Sequence, residues 1–334
     1  MMFWGINMLK IGVIGTGSMG KNHARVCSDI ENVKLAGIAD PNKATAKKFA
    51  ERFDTKAFFD YKDLLPEIDA AIVATPTTTH HKITMDLLNN GKHALVEKPI
   101  CNSIKNAMEL TNISEKEDLV LAIGHIERHN PIVKFVKDAM QSNKFGELIT
   151  LASKRVSNFP GRIRDVGVIF DFGIHDIDVM RFLAGEVKSV YAKAGRFNKK
   201  IEHEDYASIV LTFEDGTCGI VEVNWLTPVK IRKLFLTCSE KFVEADYINQ
   251  SATISSSSFN QIDEMNLFHI PIQYNINQIA LQKKEPLKNE IEDFIQAIKN
   301  NTKPLATGED GLIALKIAEA ATISYKNGGE VKIL

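Results

Sequence analysis

From Leu9 to about Gly124, short apolar runs alternate with amphipathic stretches. The runs are LKIGVIG, VKLAGIAD, AAIVATP, KHALVEKP and LVLAIGH, and the helix-like segments between them fall at 18–29, 42–53, 79–90 and 103–114. Continuous β-branched runs separated by helices predict parallel strands buried on both faces, a doubly wound Rossmann-type α/β domain over residues 9–124. Beyond Gly124 the rhythm changes. A helix over PIVKFVKDAMQSN leads into the strand ELITLASKRVSNF, and a second helix spans about Ile174 to Leu183. Long alternating strands follow (VKSVYAKAGRF, YASIVLTFEDGTCGIVEVNW, VKIRKLFLTCS), with a hairpin signal at Asp215-Gly216. Hairpins without helical crossovers predict an α+β domain over 125–334 with an open-faced, mostly antiparallel sheet. The serine run Ser255 to Ser258 reads as a loop or a polar strand edge, and helices at 286–300 and 308–326 close the chain, packing back on the first domain or staying with the second.

Composition narrows the partners. Lys and Arg number 41 against 42 Asp and Glu, so no overall field draws the chain to nucleic acid or to a membrane surface. No segment is long and apolar enough to span a bilayer. The opening MMFWGIN lacks a basic n-region and a cleavage site, and Met8 suits the role of start. The four scattered cysteines, without a C-x-x-C pair, suit free thiols in the cytoplasm. An exposed sheet face needs covering, so a homo-oligomer, dimer or tetramer, is expected.

The candidate chemistry begins at KIGVIGTGSMGKNH. Gly15, Thr16, Gly17, Ser18, Met19 and Gly20 join a strand to a helix in the G-x-G-x-x-G spacing, which offers helix N–H groups and a positive dipole end to a pyrophosphate. Asp40 ends the second apolar run 20 positions past Gly20, where a carboxylate accepts from an adenosine ribose and repels a 2′-phosphate. The cofactor expected is therefore NAD. As a structural residue, Asp40 would instead cap the helix after ADPNKA. Lys98 of Glu97-Lys98-Pro99 lies at the carboxyl end of its strand, where ligands of such sheets bind. In DFGIHDID, Asp171 and His175 are four apart, so on a helix the carboxylate can orient the imidazole. Asp178 would complete a metal triad, but no cysteine pair or H-E-x-x-H pattern accompanies it, and no metal is expected.

Four separated motifs, the glycine turn, ATPTTTH, EKP and DFGIH, occur in order along the chain, which resembles the glucose–fructose oxidoreductase, inositol dehydrogenase and rhizopine catabolism (Gfo/Idh/MocA) family. The resemblance implies a dinucleotide-binding domain, a sugar or cyclitol on the second domain, catalytic roles for Lys98, Asp171 and His175, and a cofactor-side loop holding Thr75, Pro76 and His80. Where the family often has Asn after that proline, this chain has Thr77. Within the family, GHIERHNP (124–131) and FPGRIRDVGVIFDFGIHDIDVMRFL (159–183) look most like UDP-N-acetylglucosamine 3-dehydrogenases. Arg128, Arg155, Arg162 and Arg164 would then bind the substrate, the last three as cationic donors to its pyrophosphate. Their alternative is pairing with Asp165 or Glu127. The implied reaction is hydride transfer from a sugar C–H to NAD, with His175 as base and Lys98 on the alcohol oxygen, or Lys98 as base with His175 beside it. The alternatives are a dehydrogenase of free sugars or inositol, and a non-catalytic NAD-linked sensor.

Overall fold

The computed structural model describes residues 8–159, 161, 166–259 and 272–333. Two compact units divide them: residues up to Ile126 with Glu285–Leu315, and Glu127–Lys284 with Lys316 onward. Helix 286–300 therefore belongs to the first unit, although residues 127–284 separate it in sequence from the rest of that unit.

In chain order the first run is β1 (Leu9–Ile14), α1 (Ser18–Asp29), β2 (Val33–Ala39), α2 (Lys43–Arg52), β3 (Lys56–Phe58), β4 (Ala70–Val73), α3 (Thr77–Asn89), β5 (His93–Glu97), α4 (Ile104–Lys116) and β6 (Leu121–Gly124). Next come α5 (Pro131–Gln141), β7 (Leu148–Asn158), a π-helical turn at Ile169–Gly173 and α6 (Ile174–Ala184). The strands β8 (Val187–Gly195), β9 (Tyr206–Phe213), β10 (Cys218–Asn224), β11 (Leu226–Cys238), β12 (Phe242–Asp246), β13 (Ser251–Phe259) and β14 (Ile272–Ala280) follow, then α7 (Pro286–Asn300), α8 (Gly308–Asn327) and β15 (Val331–Lys332).

In the first unit six parallel strands lie in the order β3-β2-β1-β4-β5-β6, the doubly wound arrangement read from the sequence. Strand β3, only three residues long, carries no apolar run to announce it. Helix α7 places Leu287, Ile291, Phe294 and Ile295 at helical spacing into the core with Val13, Ile38, Ile72 and Leu95. Side chains cap α2, α4 and α5: Asn42 accepts from Thr45 N–H, Ser103 from Asn106 and Asn130 from Ile132. Helix α1 differs. Its N-cap is Gly17, which offers no side chain to those first N–H groups.

The second unit is a nine-stranded sheet among the described residues, ordered β14-β13-β12-β11-β7-β10-β9-β8-β15, in which only β10 and β7 pair in parallel. Its inner face buries Ile209, Leu211, Val221, Leu234 and Leu236. On the other face Tyr191, Val210, Ile220, Ala152 and Phe235 oppose one another strand by strand in a row, with Tyr191 36% and Ile220 45% exposed. The serine run belongs to β13, where β12 and β14 flank it, so it is a polar strand and not a loop. None of the cysteines forms a disulfide, and among the described residues no helix is long and apolar enough to cross a membrane.

Candidate active site

The glycine turn does three separate jobs. Gly15 holds φ +93°, and a Cβ there would lie 2.6 Å from the Ala74 carbonyl oxygen; a Cβ on Gly20 would lie 1.9 Å from the Gly15 oxygen. A Cβ on Gly17 would meet nothing within 4 Å, so it would fill the open space above the α1 N-terminus. That is the space a pyrophosphate needs, beside N–H groups that Gly17 leaves uncapped. Next to it a cavity of about 710 Å³ is walled by Gly15, Thr16, Asp40, Phe59, Thr75 and Pro76, among others. Asp40 accepts from the Thr16 N–H (2.8 Å) and hydroxyl on one oxygen and from the Asn42 N–H (2.8 Å) on the other. The carboxylate thus fastens the glycine turn to the start of α2, and Oδ1, which accepts only once, keeps a further lone pair for a ribose hydroxyl. Asp40 does not cap α2, since Asn42 holds that place; it braces the turn that leads into the helix. The residues present fit a dinucleotide: Gly17 and the α1 N-terminus would hold its phosphates, and Asp40 its adenosine ribose.

Glu97 and His80, expected on the cofactor side, are 8% and 1% exposed and act as braces. The His80 ring sits 2.9 Å from both the Thr75 and the Pro99 carbonyl oxygens, tying the ATP loop to the EKP loop. Burial pushes its pKa down, against those two carbonyls and Glu97. His23 of α1, fully buried, donates to Glu97 at 2.8 Å. Burial alone would raise the Glu97 carboxyl, but the bond and charge of His23, then Lys98 and His80, hold it below the usual range. Behind them lies Glu290 of α7, 2% exposed, whose pKa stands well above the usual value because of burial and then the charges of Glu97 and Asp293. Lys98 follows at the strand's end, half-buried, its N–H 3.3 Å from the Glu97 carboxylate.

In the second unit the DFGIH segment is not regular α-helix. A π turn covers Ile169–Gly173 and runs directly into α6, so Asp171 and His175 straddle a change of helical period. Glu204 pins its start: its carbonyl accepts from Val168 N–H (3.0 Å) and its carboxylate from Ile169 N–H (3.2 Å). A Cβ on Gly167 would strike that carboxylate at 2.0 Å, so a larger residue there would have to displace the Glu204 side chain. Asp171 is buried and His175 half-buried.

The carboxylates flanking His175 are both held by buried arginines. Asp176 accepts from Arg155 Nε at 2.6 Å, and Asp178 takes a bidentate grip from Arg128 at 2.7 to 3.1 Å. Arg155 also donates to Glu127 at 2.8 Å, and its guanidinium lies 5.3 Å from the Tyr247 ring centre. Asn130 donates to the Glu127 carboxylate and to the Tyr247 carbonyl. GHIERHNP therefore supplies Glu127, Arg128 and Asn130 to a knot of ion pairs and hydrogen bonds behind the DFGIH segment. At 1% and 4% exposure, Arg155 and Arg128 are spent on the fold's own carboxylates, which corrects the expectation that they reach a substrate. Arg155 is held above its usual pKa despite burial, by Asp176 first and then Glu127. Both Asp178 oxygens are engaged by Arg128. Arg162, Arg164 and Asp165 lie outside the described residues. Sequence reading missed His23 and Glu204 as braces and named Glu127 only as an alternative partner of the arginines; of the two missed, His23 alone had a signal, its place three residues past Gly20 on the glycine-turn helix.

A glycine-turn dinucleotide cradle on a doubly wound sheet, with a lysine at the strand edge and a histidine on a braced helix, defines a nicotinamide-dependent oxidoreductase. The signature described as "Oxidoreductase family, NAD-binding Rossmann fold" matches residues 9–125, the GFO/IDH/MocA C-terminal domain matches 133–243, and the oxidoreductase family's C-terminal alpha/beta domain matches 273–333. The chain belongs to the Gfo/Idh/MocA oxidoreductase family and is an NAD-dependent oxidoreductase of the CH–OH dehydrogenase type. It is 29% identical to a UDP-N-acetylglucosamine 3-dehydrogenase of Acidithiobacillus ferrooxidans over 93% of this chain and 95% of that one. It is 25% identical to a myo-inositol 2-dehydrogenase of Thermotoga maritima over 97% of this chain and 98% of that one. A solved structure of the Acidithiobacillus ferrooxidans enzyme superposes with a TM-score of 0.84 at 27% identity, covering 96% of this chain and 98% of that one.

Proposed function

We propose that the protein oxidises a secondary hydroxyl of a UDP-sugar, with C3 of UDP-N-acetylglucosamine as the foremost candidate, using NAD⁺. What supports the substrate is similarity to a UDP-N-acetylglucosamine 3-dehydrogenase along nearly the whole of both chains. What supports NAD⁺ over NADP⁺ is Asp40, a carboxylate fixed by Thr16 and Asn42 at the wall of the adenosine-side cavity.

NAD⁺, when bound, supplies the hydride acceptor. His175 takes the hydroxyl proton as the carbon gives up its hydride, and Asp171 orients the imidazole. Lys98 donates a hydrogen bond to the alcohol oxygen and stabilises the charge that grows on it. Arg162 and Arg164 are the arginines left for the pyrophosphate, since Arg128 and Arg155 hold Asp178 and Asp176. The protein acts in the cytoplasm as a homo-oligomer that covers the open sheet face.

The test is kcat/KM for UDP-N-acetylglucosamine, free N-acetylglucosamine and myo-inositol, each with NAD⁺ and NADP⁺. The reading expects the UDP-sugar with NAD⁺ to lead. A lead for either free compound would remove the nucleotide-sugar assignment and leave a sugar or cyclitol dehydrogenase; a lead for NADP⁺ would remove the role given to Asp40.

A further inference from the structure

Strand β11 carries two cations that the catalytic scheme leaves unused. Its pairing with β7 slips between Leu226 and Ile231, an irregularity of the kind that re-aims side chains beside active sites. Lys230 lies in that slipped stretch and is exposed. Arg232, just past it, stands directly opposite Arg155 across the strand pair, so the two guanidinium groups leave the sheet on the same face. Like charges set opposite one another repel.

Among the described residues the ion pairs fall unevenly between the three cations. Arg155 takes Asp176 and one Glu127 oxygen at 2.6 and 2.8 Å, while Arg232 reaches only that same Glu127 oxygen, at 3.6 Å. Lys230 has no carboxylate within ion-pair distance among the described residues. The crowding of like charges lowers the pKa of both Lys230 and Arg232. The Lys230 ammonium is held below its usual pKa by the Arg232 charge first, then by burial and Arg155, with Glu127 as a partial offset. Arg232 is lowered by burial and then Arg155, against Glu127, Asp176 and Asp171. Its side chain nevertheless keeps 31% of its surface open. The influence of Asp171 places Arg232 on the catalytic side of the sheet.

We infer that Lys230 and Arg232 form a phosphate subsite that takes the anionic handle of the substrate. A phosphate ester or diphosphate supplies the missing charge, accepting from the guanidinium fork of Arg232 and the mobile ammonium of Lys230. Glu127 and Arg155 fix the fork from behind. This deepens the proposed function, on which it rests for the link to a sugar, and it moves part of the pyrophosphate recognition onto a strand that the sequence motifs do not mark.

The test uses the NAD⁺-loaded protein and isothermal titration with UDP, inorganic phosphate, glucose 6-phosphate and uridine, none of which needs turnover. Wild type is expected to bind UDP, and Lys230→Ala and Arg232→Lys to weaken that binding about 10- to 100-fold, the span of one or two charged hydrogen bonds. Uridine binding should not separate the three proteins, and raising salt should cost the wild type more UDP affinity than Lys230→Ala. Glucose 6-phosphate or phosphate binding as tightly as UDP would assign the subsite to phosphate monoesters or to the free ion. Lys230 is exposed, so Lys230→Ala decides the matter even where Arg232→Lys fails to fold. Unchanged UDP affinity in Lys230→Ala, or no UDP binding by the wild type, overturns the subsite. Weakened UDP binding in the variants, together with no oxidation of UDP-N-acetylglucosamine by the wild type, supports the subsite and removes the proposed substrate; oxidation of that sugar with unchanged affinity in the variants does the reverse.

Discussion

Single residues in this protein do several jobs, and the buried carboxylates show it best. Glu97 is held below its usual pKa despite burial, by the bond and charge of His23 and then by Lys98 and His80, while Glu290 stands well above its usual pKa because of burial and then the charges of Glu97 and Asp293. A raised carboxyl pKa in the folded state means that the native protein keeps a proton which the unfolded chain releases above the usual value of 4.5. Glu290 therefore contributes stability that is fully present below that value and is lost as pH rises toward its folded pKa. Glu290→Gln removes this loss. The variant should melt at a higher temperature than wild type at pH 8, with the gap shrinking toward pH 5; a gap independent of pH would contradict the assignment. None of this is legible in the sequence. Glu290 sits on the face of an amphipathic helix, and only the packing of α7 near β5 makes its charge expensive. Asp40 was legible because its partner, the glycine turn, is defined by spacing along the chain.

At the scale of elements, the regular ones could be read and the irregular ones could not. Helices at 18–29 and 286–300 match the observed spans, because apolar periodicity and the Pro286 start mark them. The π turn at Ile169–Gly173 escapes, since a single widened turn leaves no periodic trace over five residues. The arginine pairings with Asp176 and Asp178 escaped for another reason: Arg155 meets Asp176 across 21 positions and Arg128 meets Asp178 across 50, separations that only the fold closes. The consequence is energetic. Removing Arg128 leaves Asp178 charged and buried without its bidentate partner, so Arg128→Ala should lose about 3 to 5 kcal/mol of stability. Denaturant unfolding measures it directly. A loss below about 1 kcal/mol, the level of an exposed ion pair, would show that the pair is not buried in solution.

At the scale of the whole molecule, the second unit's sheet leaves one face uncovered. The row Tyr191, Val210, Ile220, Ala152 and Phe235 crosses five strands of that face and is apolar throughout. Placing a charge at its centre with Ile220→Arg should drive the proposed homo-oligomer toward the mass of one chain by light scattering, since the inner core is untouched. A wild type that already scatters as a single chain would contradict the covered face. The central claim, however, concerns chemistry, and it turns on His175. The most direct measurement is the rate of NADH formation from NAD⁺ and UDP-N-acetylglucosamine by wild type and His175→Ala, with NAD⁺ affinity titrated in both. The account predicts a kcat lower by about 10² to 10⁴ in the variant, the span of a lost general base, with NAD⁺ affinity unchanged; equal kcat in the two proteins would contradict it.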